Sequence, residues 1–173
     1  MKRTLISIIA SLFVITLFSS MVSKAEETIL PNNTKVEFKK KKYGLYESEI
    51  VGIVEDENTP MGYSNAVDNV VHVKKTTKIP AQLGVEFGTE WETKSKEDGF
   101  IQVERVWIFP RPMINYNGES FSEIRTTEYI MANGGHEFSG YSFEKEFEII
   151  KGTWTYQVFY NGKKVLEQKF QVK

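Results

Sequence analysis

No cysteine occurs among the 173 residues, and histidine occurs twice. Without cysteine the chain forms no disulfide, carries no lipid on a cysteine and has no thiol nucleophile. His72 and His136 lack a His-x-x-x-His spacing, and zinc ordinarily takes three or four ligands from Cys, His and carboxylates. The sequence therefore marks no metal residue. A Gly-x-Ser-x-Gly elbow is also missing, which removes the commonest serine-nucleophile signature. No motif indicates a cofactor. Basic charge is not in surplus either, with 22 Lys and Arg against 23 Asp and Glu. Nucleic acid is thus not an expected partner, since binding it needs a positive footprint. The one basic run, Lys39 to Lys42, stops at Tyr43 and reads as a solvated or edge-protecting strand segment. The acidic stretch Glu55-Asp56-Glu57-Asn58 lacks the register of a calcium-binding EF-hand and reads as a solvated loop.

What is present begins at the N-terminus. Met1-Lys2-Arg3 precedes an uncharged stretch over residues 4–23, and Ser23-Lys24-Ala25 ends it with small residues at the positions a signal peptidase reads. The expected cut falls between Ala25 and Glu26. A stretch of this length could also remain as a membrane anchor, but its seven Ser and Thr and the Ala25 site favour cleavage. The resulting division is a signal peptide over 1–25, a flexible lead-in over 26–34 and one domain over 35–173. Losing Lys2, Arg3 and Lys24 leaves 19 basic against 23 acidic residues, a mature charge of −4. The product is expected to be exported, to the periplasm or the medium, and to leave the membrane after cleavage. Its stability must come from its own core, which a chain of this length can supply without covalent staples.

The rest reads as strands. Residues 35–47 mix apolar and lysine residues around an irregularity near Gly44, and 49–54 stay extended. Residues 55–62 are dense in turn formers. Residues 66–78 are β-branched and polar. From Ala81 to Trp91 the odd positions read Ala, Leu, Val, Phe, Thr, Trp and the even ones Gln, Gly, Glu, Gly, Glu, a strict period of two that predicts a strand with one wet face. A polar turn over 94–99 predicts that the next strand, 100–109, is its antiparallel neighbour and is stopped by Pro110-Arg111-Pro112. The segment from Ser120 to Met131 carries a capping-box pattern, yet Ile124, Thr126, Thr127, Tyr129 and Ile130 favour strand over helix. Trp154, Tyr156, Val158 and Tyr160 alternate up to Asn161-Gly162, the strongest short hairpin signal, and Leu166, Phe170 and Val172 continue at even spacing. About eight strands without a convincing helix predict an all-β, antiparallel two-sheet sandwich of immunoglobulin-like character. Trp91, Trp107 and Trp154 are its first core candidates.

Three stretches carry a resemblance: Tyr43-Gly44-Leu45-Tyr46-Glu47, then Ile79-Pro80-Ala81-Gln82-Leu83-Gly84-Val85-Glu86-Phe87-Gly88, then Gly152-Thr153-Trp154 with Asn161-Gly162-Lys163 and Phe170-Gln171-Val172. They resemble an uncharacterised bacterial family, the domain of unknown function numbered 3859, over residues 43–172. The resemblance implies an exported bacterial protein and brings no catalytic residue with it.

Chemistry has few candidates. Glu86 and Glu90 stand two side-chain steps apart, about 7 Å by strand rise, within the range of paired glycosidase carboxylates. Such pairs also occur on ordinary polar strands, and a catalytic pair needs a cleft and a raised pKa. Gly84 and Gly88 leave a strand bare, and a large side chain from a neighbouring strand is the expected cover. The leading expectation is a non-catalytic binding or interaction module of the cell envelope or medium, whose partner is a protein, an envelope polymer or a small ligand. Tyr63 in the 61–66 loop and Tyr116 in the 115–118 turn are its candidate binding residues. Two alternatives stand beside it. One is a hydrolase whose site gathers loop carboxylates such as Glu55, Asp56, Asp68 or Glu137; the other is an assembly subunit that pairs an edge strand or its lead-in with another chain.

Overall fold

A computed structural model describes residues 28–173; the expected signal peptide and the Ala25–Glu26 cut lie outside the described residues. Nine strands and one short 3-10 turn follow: β1 (Val36–Glu55), β2 (Tyr63–Lys74), β3 (Lys78–Ile79), β4 (Glu86–Ser95), β5 (Phe100–Ile114), β6 (Ser120–Met131), β7 (His136–Ser142), the turn Glu146–Glu148, β8 (Gly152–Tyr160) and β9 (Lys163–Val172). They form two sheets, one ordered β2-β1-β4-β7 and the other β3-β9-β8-β5-β6. All neighbours are antiparallel except the two-residue β3, which lies parallel to β9. The expected all-β sandwich is what the chain builds, and the ambiguous Ser120–Met131 is a strand. Among the described residues no helix is long and apolar enough to cross a membrane.

The inner faces meet in an aromatic core. Phe87 of β4 touches Trp107 of β5 at 5.6 Å, Trp154 of β8 at 5.7 Å and Phe170 of β9 at 5.2 Å between ring centroids, all edge to face. Edge-to-face pairs are favoured because a ring's positive rim meets a negative face. Trp91, Trp107 and Trp154 are all buried, and the Trp154 indole N–H donates to Ile150 O at 2.7 Å. The β8–β9 hairpin turns at Asn161 and Gly162, with φ of 51° and 70°, the two positive values such a turn requires.

Three strand readings change. The strand expected over 81–91 starts at Glu86, because Pro80 and Gly84, at φ 77°, put 81–85 into a turn whose Val85 N–H closes on Gln82 O at 3.3 Å. Second, β4 and β5 are not a hairpin. β4 already has β1 and β7 as neighbours, β5 has β8 and β6, and the link after Ser95 crosses from one sheet to the other. A short polar link serves a sheet crossing as well as a hairpin, so its composition could not tell them apart. Third, β5 runs through Pro110 and Pro112 to Ile114. Its register against β6 jumps between Ile108 and Met113, so neither proline interrupts a ladder bond there.

The lead-in is held where it is described. Ile29 bridges Phe100, the Leu30 N–H donates to Phe100 O at 2.8 Å, and Leu30 joins the core. An apolar Ile29-Leu30 pair amid polar residues is the local signal for that docking.

β1 serves two partners in succession. Val36 to Tyr46 pairs with β4, whereas Leu45 to Glu55 pairs with β2. The lysine run therefore lies where β1 has no β2 beside it, on an edge. There Lys41 pairs with Glu92 at 2.8 Å and Lys42 with Glu90 at 3.3 Å, while Lys40 reaches Gln168 Oε1 on β9 at 2.7 Å. Beyond Glu47 the strands β1 and β2 leave β4 as a two-stranded ribbon with two register shifts.

Candidate functional site: a cleft along the edge of β7

Gly44, Gly88 and Gly140 stand opposite one another across β1, β4 and β7. This row removes three side chains from the outer face of the sheet, and the Phe138 ring lies over it, close against both Gly88 and Gly140. Tyr46 stacks on Phe138 at 4.7 Å and meets His72 at 5.0 Å. The large side chain expected to cover Gly88 is Phe138. Gly84 is different: it sits in the turn, with nothing close on the side a Cβ would occupy.

Beside this aromatic cover opens a cleft of about 460 Å³. The β1–β2 ribbon forms one wall with Ser48, Ile50, Tyr63 and Asn65; β7 forms the floor; and Trp107, Ile124 and Glu128 of β5 and β6 form the far wall. The ribbon is held in place at its tip. The Tyr63 hydroxyl donates to Glu144 Oε2 at 3.1 Å, the Asn65 amide donates to Glu144 Oε1, and the Asn115 amide donates to Pro60 O at 3.1 Å.

Glu47, Glu86, Glu128, Glu144 and Glu148 line the cleft. Glu86 accepts the Ser48 hydroxyl at 2.9 Å, and burial lifts its pKa above the ordinary range against the pull of that bond. Glu148, 2% exposed, accepts the backbone N–H groups of Glu144 and Lys145 at 2.7 Å each and the Tyr141 hydroxyl at 2.9 Å. Burial nevertheless raises the Glu148 pKa, because desolvation outweighs the donors. The Tyr141 phenol is raised well above its usual value by burial and then by Glu148. Among the described residues Arg105 is the one cation lining the cleft, and it is already engaged: it pairs with Glu137 at 2.5 Å and Glu128 at 2.9 Å and donates to Phe138 O at 3.3 Å, tying β5 and β6 to β7.

Of the two candidate tyrosines, Tyr63 lines the cleft, but as the first residue of β2 rather than in a loop. Tyr116 is 75% exposed on its turn outside the cleft, its ring edge-on to Phe147 at 4.9 Å. Both thus lean on the segment that carries Glu144 and Glu148. The loop carboxylates expected to gather do not. Asp56 caps its own turn through Asn58, Asp68 accepts the Asn69 N–H, and Glu137 is bound to Arg105. Glu86 and Glu90 also part company. Glu90, on the row expected to be wet, is only 6% exposed and sits between Lys42 and His136 at 3.3 Å each. His72 is a cross-strand neighbour of Tyr46. Among the described residues no three His, Asp or Glu side chains are placed to hold a metal ion.

The family model of the domain of unknown function DUF3859 matches residues 34–172. The chain belongs to this family. Among solved structures, an immunoglobulin-like protein from Pseudomonas aeruginosa superposes with a TM-score of 0.60 at 19% identity, covering 80% of this chain and 97% of that one. At that identity the likeness establishes the fold alone, and it agrees with the two-sheet architecture. A β-glucosidase from Listeria innocua, in complex with gluconolactone, matches with a TM-score of 0.41 at 10% identity over 81% of this chain and 16% of its own. The alkylpurine DNA glycosylase AlkC from Pseudomonas fluorescens matches with 0.37 at 12% identity over 56% and 28%. Neither likeness is close enough to bear on function. No curated protein matches the chain.

Proposed function

We propose that this member of the family is an exported, non-catalytic binding module of the bacterial cell envelope or the surrounding medium, and that the cleft beside β7 is where it binds. Export rests on the Lys2-Arg3 start, the uncharged stretch and the Ala25 site. The cleft reading rests chiefly on one observation: a ribbon that leaves the sheet is fastened by Tyr63 and Asn65 to Glu144, so that it walls a concave, aromatic-lined space. A non-catalytic role is favoured because the cleft carboxylates already have structural duties. Glu148 ties down the backbone of its own segment, Glu144 anchors the ribbon and Glu128 holds Arg105. Affinity capture from native envelope material, comparing the wild-type mature protein with Tyr63→Ala and Glu86→Gln, tests this. Material retained by the wild type and lost by both variants supports the cleft; equal retention by all three contradicts it.

One observation favours a second reading, a hydrolase. Two carboxylates raised by burial, Glu86 and Glu148, border the same cleft, and perturbed carboxylates in a cleft are a mark of acid–base sites. Turnover in a hydrolytic panel that Glu86→Gln abolishes without loss of folding would establish it over the binding module.

A further inference from the structure

We infer that the cleft receives an extended, basic segment of a partner protein as an added strand on the free edge of β7, its cationic side chains facing Glu86 and Glu144 and its alternate apolar side chains facing Trp107 and Ile124. This rests on the cleft being the binding site.

Among the described residues β7 ends its sheet, with β4 on one side and no strand on the other. In a strand the N–H and C=O of successive residues point to opposite edges. Ser139 O lies against Gly88 of β4, and Phe143 exchanges bonds with the chain just before β4, its N–H to Val85 O at 3.1 Å and its carbonyl from Gly84 N–H at 2.8 Å. The odd residues therefore face β4, and Phe138, Gly140 and Ser142 face outward. Phe138 O confirms that direction by accepting Arg105 from the opposite sheet at 3.3 Å. Gly140 and Ser142 are left facing the cleft, which both of them line.

The edges of β2, β3 and β6 are poorer templates. β2 is broken at Asn69, with φ 50° and a register shift opposite, and such bulges blunt an edge. β3 is two residues long, and the edge of β6 carries Glu123 and Arg125 in an exposed charge network.

The two walls choose the occupant. Trp107 and Ile124 stand opposite each other in register on the far wall, which suits apolar side chains. On the ribbon side Glu86 and Glu144 are bonded by neutral donors, Ser48, Tyr63 and Asn65, and among the described residues no cation pairs with them. Because side chains of an added strand alternate between its two faces, a segment that fits both walls alternates Lys or Arg with apolar residues. Backbone pairing to Gly140 and Ser142 supplies affinity and the walls supply selectivity, as in other strand-addition complexes.

Selection of a displayed library of random heptapeptides on the mature protein tests this. Enriched sequences are expected to alternate Lys or Arg with apolar residues. Methylating alternate backbone amides of a selected peptide is expected to weaken binding about tenfold, the size of one or two net hydrogen bonds. Ser142→Pro removes an outward N–H and leaves the β4 ladder intact; it is expected to weaken binding comparably with the denaturation midpoint unchanged. If binding resists methylation but falls with Glu86→Gln and Glu144→Gln together, strand addition is wrong and the cleft reading survives. Peptides that bind equally well to all these variants overturn both. An enriched set without cationic alternation, or no enriched set, overturns strand addition, while the envelope capture decides the cleft separately.

Discussion

The two long hairpins of this protein are held in register by different means. In β8–β9, Trp154, Tyr156, Val158 and Tyr160 are buried at every second position, and the pairing runs from Tyr160 opposite Lys163 to Gly152 opposite Val172 with one shift. A one-residue slip would turn this whole row out of the core, so burial itself fixes the register. In β1–β2 beyond Glu47 there are two shifts, and Ile50, Val51, Ile53 and Val54 are each more than half exposed. Burial does little to specify that pairing. The ribbon is fixed instead at its tip, where the Thr59 hydroxyl donates to Asp56 O and to Tyr63 O at 2.9 Å each, and where Tyr63 and Asn65 reach Glu144. One hairpin builds the domain; the other is free to shape a cleft.

The sharpest way to break this contrast is to truncate a core ring and a ribbon side chain in parallel. Trp154→Ala is expected to cost about 3–5 kcal/mol in urea denaturation, while Ile53→Ala stays within about 0.5 kcal/mol. Equal costs would mean that the ribbon is as integral as the core. Next comes Glu148→Ala, expected to cost about 2–3 kcal/mol because it strands two backbone N–H groups and the Tyr141 hydroxyl in a buried place. Gly88→Ala follows at about 1–3 kcal/mol, since a Cβ there would press on Ser139 O and Gly140. Gly162→Ala, in open space but at φ 70°, is expected to cost about 1 kcal/mol through backbone strain alone. Tyr63→Phe comes next, losing about 0.5–1.5 kcal/mol of ribbon anchoring, seen as faster amide exchange in the ribbon with the urea midpoint little changed.

The smallest effect is a pH slope. Glu86 binds its proton more tightly folded than unfolded. The stability it contributes is full below the unfolded carboxylate pKa and is lost as pH rises through the folded value. Between roughly pH 4 and pH 7, the wild type is expected to lose more stability than Glu86→Gln in matched denaturation curves. Superimposable pH profiles would mean that folding does not raise the Glu86 pKa.

How far the sequence could be read follows the same divide. Asn161-Gly162 between alternating aromatics announces β8–β9, because both the turn and the buried face are local signals. The glycine row was hidden, because Gly44, Gly88 and Gly140 are far apart in the chain and meet only through register. Alternation over 81–91 mixed a turn with a strand, since Leu83, which looked like a core residue, is 42% exposed while Glu90 on the opposite row is buried. The cleft draws on 46–67, 84–86 and 138–148 together with β5 and β6, and no short motif joins those pieces. Glu144 and Glu148 carry no local signal, because acidic residues near a turn usually face water, whereas here Glu148 turns inward to collect two amides.

Amide hydrogen exchange on the protein, with and without a selected heptapeptide, bears most directly on the contrast between the two hairpins. β8–β9 amides are expected to exchange only on global unfolding and ribbon amides beyond Glu47 by local opening. The peptide is expected to slow Gly140, Ser142 and the ribbon while leaving β8–β9 as it was. Uniform protection of both hairpins in the free protein, or peptide-induced slowing at residues 115–118 with none at Gly140 and Ser142, would contradict this contrast.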